Sequence, residues 1–334
     1  MKILITGGAG YIGSIVTEQL IEDGKSVVAL DNLKQGHREA VLPGAAFVQI
    51  DLANLGELDY VFRHYQMESV IHLAADSLVG DSMNDPKGFF QNNVINSVNL
   101  LDTMLKHGVY KIIFSSSAAV YGEPQKIPIE ENDVKEPSNP YGESKAMFER
   151  ILHWYGQAYG FRAVSLRYFN AAGASERFGE DHNPETHLIP NILKVALGQV
   201  DEIPIFGSDY PTRDGSCIRD YIHVVDIAKA HILAMKSLEK GHGFEVYNLG
   251  NSEGYSVIEV IEMARKVTEA EIPTVIRPRR PGDPAVLVAS SELAESRLGW
   301  HPEFSDINSI IESAWQWQKK YPHGYNRKKA EEDG

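Results

Sequence analysis

A single cysteine, Cys217, stands in 334 residues, so no disulfide can close within the chain, and a reducing cytosol is its natural setting. Cytoplasmic localisation is therefore the expectation. Long apolar runs are missing as well: nothing approaches the roughly 18 consecutive apolar residues of a membrane-spanning helix. No secretory leader is read at the N-terminus, because Met1 runs straight into a short apolar stretch that glycines interrupt. Positive charge is scarce. With 32 Lys and Arg against 46 Asp and Glu, the net charge of -14 argues against nucleic acid and anionic membranes as partners. No internal repeat is found. The rest, 43% hydrophobic and 23% charged, is ordinary globular composition over a length that allows about two domains.

The strongest local signal is Gly7-Gly8-Ala9-Gly10-Tyr11-Ile12-Gly13. Lys2 to Thr6 reads as a short buried strand, and Tyr11 to Glu22 keeps Ile12, Ile15, Val16 and Leu20 at helical spacing, so the glycines occupy a strand-to-helix turn. Gly7 allows a tight turn, Gly10 lets the backbone approach a diphosphate, and Gly13 lets helix and strand close up, with free helix N–H groups facing the anion. Alone, the pattern fits an ordinary glycine-rich turn about as well. A second strand, Ser26 to Leu30, ends at Asp31, near the offset at which an acid accepts hydrogen bonds from a ribose. That favours NAD. Asp31 with Asn32 also fits a plain turn, and Lys34 and Arg38 nearby leave NADP open.

Tyr141 and Lys145 lie one turn apart on a helix expected to start after Asn139-Pro140. An ammonium at about 6 Å and an effective dielectric of ~20 favours a phenolate by roughly 3 kcal/mol, on the order of two pK units. Tyr141 is thereby a candidate general base for a hydroxyl. Isolated Tyr-x-x-x-Lys pairs also occur on solvated helix faces. Here, however, a strand at Lys111 to Phe114 runs into Ser115-Ser116-Ser117, and open parallel sheets bind ligands beyond such strand ends. Ser117 is the candidate hydroxyl; Ser115 and Ser116 read as strand-end structure.

Strands at Phe47 to Ile50, Ser69 to Leu73, Lys111 to Phe114 and Ala163 to Leu166 alternate with helical stretches, the signature of an α/β protein with a doubly wound parallel sheet. After Asn170 the Gly- and Pro-rich segments from Gly173 to Pro190 and Gly207 to Gly215 suggest a smaller lobe over the substrate end, and Val225 to Leu238 a helix returning to the main domain. The expected division is 1–172, with a returning segment near 219–240, then 173–325 as mainly the substrate-binding lobe, and a disordered tail at 326–334. Glu180 to His187 holds metal-ligand residue types, but Pro184 breaks any helix that would align the histidines, and no metal is expected.

The Gly7 to Gly13 turn, Asp31-Asn32, Asp51-Leu52, Leu73-Ala74-Ala75, Ser115-Ser116-Ser117, Pro140-Tyr141-Gly142-Glu143-Ser144-Lys145 and Arg167-Tyr168-Phe169-Asn170 together resemble the extended short-chain dehydrogenase/reductase family. Gly179 to His182, Arg219 to Val224 and Arg279 to Asp283 are similar to its nucleotide-sugar 4-epimerases. The resemblance runs from Met1 to about Tyr325. It implies a Rossmann sheet with a smaller C-terminal substrate-binding lobe and a bound NAD. As cofactor contacts it implies Gly7, Gly10, Tyr11, Ile12, Gly13, Asp31, Asn32, Asp51, Leu52, Leu73, Ala74, Ala75, Asn92, Ser117, Tyr141, Lys145 and Phe169. Around the UDP moiety it implies Asn170, Leu188, Phe206, Arg219, Arg280 and Asp283, and beside the hexose Leu287, with Ser117 and Tyr141 on the sugar hydroxyl. Ser77 departs from the pattern, since many relatives place a lysine there.

The activity so implied is reversible C4 inversion between UDP-galactose and UDP-glucose through a 4-keto sugar, with Ser117, Tyr141 and Lys145 catalytic. Relatives that dehydrate or decarboxylate the keto sugar carry an acid after the strand-end serine, where this chain has Ala118 and Ala119. Other UDP-sugars remain alternatives: an N-acetylhexosamine, which Leu287 leaves room for, a pentose or a uronate. A dTDP carrier and a non-catalytic NAD-binding sensor also stay open. Relatives pair helices such as those expected at Pro86 to Lys106 and Tyr141 to Tyr159 into a homodimer.

Overall fold

The computed structural model describes residues 2–241, 243–280 and 282–325. Met1, Pro281 and the expected disordered tail at 326–334 lie outside them. Among the described residues, ten strands and eight α-helices run as far as Leu249. The strands are β1 (Lys2–Thr6), β2 (Ser26–Asp31), β3 (Ala46–Gln49), β4 (Ser69–His72), β5 (Lys111–Ser117), β6 (Arg162–Tyr168), β7 (Asn170–Ala172), β8 (Ile203–Phe206), β9 (Ile218–His223) and β10 (Phe244–Leu249). The helices are α1 (Tyr11–Glu22), α2 (Leu55–Tyr65), α3 (Val79–Asn84), α4 (Pro86–Phe90), α5 (Asn96–Lys106), α6 (Pro140–Tyr159), α7 (Leu188–Ala196) and α8 (Val224–Leu238). Beyond them come β11 (Gly254–Ser256), α9 (Val257–Thr268), β12 (Thr274–Arg277), β13 (Val286–Leu287), α10 (Glu292–Leu298) and α11 (Ile307–Lys320).

The large sheet has the order β10-β6-β5-β4-β1-β2-β3 and every pairing in it is parallel. Its strands are apolar on both faces because helices cover both. In β1, Ile3 and Ile5 join a core with Ile15, Val16 and Leu20 of α1 and Ile227 of α8. Leu4 between them faces the other way, into a core with Phe62 of α2, Leu100 and Met104 of α5 and Phe148 of α6. The strand order reverses beside β1, between β2 and β4. A crevice is forced open at that switch point, at the carboxyl ends of the strands.

After β6 the chain leaves this sheet. β7 and β13 pair parallel, and β11 antiparallel, with β9, while β8 pairs with β12. α7, α9 and α11 enclose a separate core around Ile192, Ile261 and Ile310. α8 then packs on α1, and β10 closes the large sheet against β6. The helix expected over Pro86 to Lys106 is three pieces: α4, a π-helical turn Gln91–Ile95, and α5.

Candidate functional site

The glycine turn is built by close approach. Gly7 has φ of 72°, a region costly for residues with a Cβ, and its amide donates to Leu30 O at 2.8 Å. A Cβ on Gly13 would sit 2.0 Å from Gly7 O, so only glycine lets α1 start this close to β1. Gly10 differs: a Cβ there would meet only Gly7 O, at 3.3 Å, and then open space. Gly10 caps α1 with no side-chain hydrogen bond, which leaves the helix amides for an anion. Ile12 packs on the core, and Tyr11 is buried with its hydroxyl donating to Gly173 O at 2.6 Å.

Asp31, at the end of β2, is buried and accepts from Ala9 N (3.0 Å) and Leu33 N (2.8 Å), so one carboxylate ties the strand end to the glycine turn. Burial pushes its pKa up, against those two hydrogen bonds. Asn32 donates to Asp51 at 2.7 Å, and Leu52 is buried. Leu73, Ala74 and Ala75 follow β4 across the crevice; the Leu73 amide donates to Thr6 O at 3.0 Å. Asn92 donates to Asp76 (3.0 Å) from the π-helical turn, and Lys34 pairs with Asp76 at 2.9 Å from the other side. Arg38 lies over the Phe47 ring, 4.6 Å from its centroid.

The proton-transfer residues meet at the end of β5. Ser117, its last residue, pairs in register with Tyr168 and lies beside the Tyr141 phenol; its Oγ accepts from Ala119 N at 3.1 Å. α6 presents Tyr141 because Asn139 caps it, accepting from Gly142 N at 2.9 Å, with Pro140 in the first turn. Lys145 is buried with its Nζ 5.7 Å from the Tyr141 ring centroid, and it donates to Ser115 O at 2.8 Å. The electrostatic consequence differs from the expected one. Burial raises Tyr141, opposed by the neighbouring Ser117 hydroxyl, and burial also lowers Lys145 to about 7, opposed by Glu149. The ammonium is held by a carbonyl and by the face of Phe114, 4.8 Å away, not by the phenol oxygen.

On the substrate side, Arg219 of β9 is buried and pairs with Asp283 at 2.9 Å. Arg280 stacks over Phe206 at 4.0 Å from its centroid, while the neighbouring Arg279 covers Tyr210 instead. Leu287 pairs in register with Arg219 and packs in a small cluster with Ala118, Val120 and Phe169, which carries it to the end of β5. Asn170 starts β7, opposite Tyr221 in β9. Leu188 opens α7 and packs on the separate core of that region.

Several residues were missed. Asn93, beside Asn92 on the π-helical turn, is buried, accepts from Asp76 N (2.8 Å) and donates to Ser144 Oγ (3.1 Å), whose hydroxyl donates to Tyr141 O (2.7 Å). It fixes the start of α6 to the far wall of the crevice. Glu149, one turn beyond Lys145, accepts from Arg167 Nε at 2.9 Å and from Ser165 at 2.8 Å; Arg167 donates to Tyr121 at 2.8 Å, which donates to Asn248 at 2.7 Å. An acid at Lys145 plus four was the available signal. His72 bridges Thr6 (2.7 Å) and Ser97 (2.8 Å) beneath the crevice. An open cavity of about 690 Å³, lined by Lys135, Arg150, Trp154, Arg167 and Tyr247 among others, includes none of the residues expected to touch cofactor or substrate.

The model of the NAD dependent epimerase/dehydratase family matches residues 3–250. A UDP-glucose 4-epimerase from Halalkalibacterium halodurans is 53% identical over 328 residues, 98% of each chain. A crystal structure of a UDP-glucose 4-epimerase superimposes with a TM-score of 0.95 at 50% identity, covering 98% of this chain and all (100%) of that one. The Bifidobacterium longum UDP-glucose 4-epimerase, solved in complex with NAD+ and UDP, superimposes with a TM-score of 0.94 at 38% identity, covering 97% and 100% of the two chains.

Proposed function

The chain belongs to the NAD dependent epimerase/dehydratase family, and from that premise we propose that Tyr141, aided by Ser117 and Lys145, moves the proton of the sugar 4-hydroxyl in the interconversion of UDP-galactose and UDP-glucose. The chain is an NAD-dependent enzyme of this type. The observation that carries the assignment of roles is that Ser117, at the end of β5, stands beside the Tyr141 phenol, with Lys145 Nζ 5.7 Å from the Tyr141 ring centroid.

The residues fit NAD. Gly10 leaves a cradle that a Cβ would fill, the α1 amides face it, and Asp31 stands where the adenosine ribose hydroxyls would donate. A 2'-phosphate would meet the Asp31 carboxylate, while Lys34 is engaged by Asp76 and Arg38 by Phe47. Tyr11, Ile12, Asn32, Asp51, Leu52, Leu73, Ala74, Ala75, Asn92 and Phe169 complete this proposed cofactor set. Held by these residues, NAD would supply the acceptor and donor of the C4 hydride and a positive charge that favours the Tyr141 phenolate.

The chain's own residues do the rest. Tyr141 removes the 4-hydroxyl proton and gives it back, Ser117 orients that oxygen, and Lys145 holds the nicotinamide ribose and supports the phenolate. Burial keeps Tyr141 protonated at rest, so its proton leaves only when opposing charge is beside it. The 4-keto sugar then presents its other face by turning about its diphosphate linkage. That requires a firm grip on the nucleotide, from Asn170, Leu188, Phe206, Arg219, Arg280 and Asp283, and a looser apolar wall at the hexose, from Leu287 and Ala118. With Ala118 and Ala119 after Ser117, elimination lacks an acid.

The proposed organisation is a nucleotide-binding domain over 1–172, joined by α8, and a mainly substrate-binding lobe over 173–325. α6 exposes Met147, Trp154 and Tyr159, and the π-helical turn before α5 exposes Ile95, which supports a homodimer through these faces. The free, buried Cys217 supports a cytoplasmic setting. The test is incubation with UDP-galactose without added cofactor, read by product chromatography. UDP-glucose should form, and Tyr141→Phe should lower the rate by about 10²–10⁴-fold. Undiminished turnover by that variant removes Tyr141 from its role.

A further inference from the structure

The loop between β7 and α7 gathers Glu180, His182, Glu185 and His187 so that one ligand atom from each lies within 4.8 Å of the others. Pro184 does interrupt any helix here, yet none is needed, because the loop folds back on itself. Glu180 Oε1 lies 2.8 Å from His187 Nδ1 and 3.1 Å from His182 Nδ1; Glu185 carboxylate oxygens lie 2.9 Å from His187 Nδ1 and 3.8 Å from His182 Nδ1. Nitrogen and oxygen donors bonded at about 2.0–2.2 Å around a tetrahedral ion stand about 3.4 Å apart, which these separations bracket. The two acid side chains are only 7% and 2% exposed, whereas His187 is 42% exposed and offers an entry path.

We propose that Glu180, His182, Glu185 and His187 bind one divalent transition-metal ion, for which zinc has the fitting coordination. Two imidazoles and two carboxylates suit zinc and disfavour magnesium and calcium, which take oxygen ligands. Four protein donors close the sphere, so the ion is a structural clip. What it clips is visible. Tyr11 of α1 sets its ring edge-on to His182 at 6.3 Å, His37 Nε2 lies 2.8 Å from Asp181 O, Gln35 donates to Asn183 O at 3.2 Å, and the Tyr325 amide donates to Asp181 at 2.9 Å. The loop therefore joins α1 and the segment after β2 to Tyr325, which follows α11.

The charges match as well: a dication with two neutral imidazoles and two carboxylates sums to zero. Tyr11, His37, Asp181 and Tyr325 face the cluster and set its surroundings.

The experiment uses the full chain stripped by a chelator, then titrated with zinc and separately with cobalt, following metal content and visible absorption at pH 7. The expected result is one ion per chain and a tetrahedral cobalt spectrum. His187→Asn and the near-isosteric Glu185→Gln should each weaken binding by at least about 10–100-fold, the loss that outer-shell partners alone cause. If His187→Asn fails to fold, Glu185→Gln and the wild-type titration decide. No stoichiometric uptake, a cobalt spectrum that is not tetrahedral, or equal affinity in Glu185→Gln would overturn the site.

Discussion

Gly13→Ala and Gly10→Ala should separate two roles that one glycine turn combines. A Cβ on Gly13 would be 2.0 Å from Gly7 O and 2.9 Å from Gly7 C, 1.4 Å inside the 3.4 Å at which ordinary contact begins. Both obstacles are backbone, and Gly7 is itself fixed by its bond to Leu30, so the overlap is relieved only by moving α1 away from β1. Overpacking of this kind costs about 1–3 kcal/mol and occasionally more; backbone against backbone puts Gly13→Ala at the upper end. A Cβ on Gly10 meets one atom at 3.3 Å and otherwise points into the open cradle, so the fold should lose less than about 1 kcal/mol. The same methyl would occupy the space of the diphosphate. Thermal unfolding of nucleotide-free protein should therefore show a lowered midpoint only for Gly13→Ala, while retention of NAD through gel filtration should fail in both. Wild-type NAD retention by Gly10→Ala, or wild-type stability in Gly13→Ala, would refute this division.

Other consequences are as specific. Glu149→Ala strands the buried Arg167 guanidinium and should cost about 3–5 kcal/mol in urea unfolding, most of it recovered in Glu149→Leu with Arg167→Met; an equal loss in the double variant contradicts the pairing. Burial lowers His72 to about 3, so between its unfolded value of 6.5 and about 3 the unfolded chain holds the extra proton and stability must fall with falling pH. His72→Gln should remove one proton's worth of that slope, about 1.4 kcal/mol per pH unit, and an unchanged slope would show that His72 is not buried neutral. Leu287→Tyr should narrow the hexose wall and lower turnover of UDP-N-acetylglucosamine relative to UDP-glucose; an unchanged ratio moves Leu287 off that wall.

How far the sequence could be read depended on how local each signal was. Lys2 to Thr6 and Tyr11 to Glu22 form the expected strand and helix because apolar periodicity and the glycines act within a few residues. β10 was not expected, since its place in the sheet depends on pairing with β6, some eighty positions earlier. Nor does spacing reveal the π-helical turn that brings both Asn92 and Asn93 to Asp76. The Tyr141 and Lys145 pairing was legible as a helix face. Where the ammonium goes was not, because Ser115 O, thirty residues away in β5, holds it. Nor does helical spacing reveal the Glu180 to His187 cluster, whose donors converge through a loop.

Conversion of UDP-galactose deuterated at C4, run in ordinary water without added cofactor, tests most directly that Tyr141 moves a proton while resident NAD carries the hydride. The account predicts that product UDP-glucose keeps the deuterium at C4. Its loss to solvent would mean that C4 itself is deprotonated, and would contradict the account.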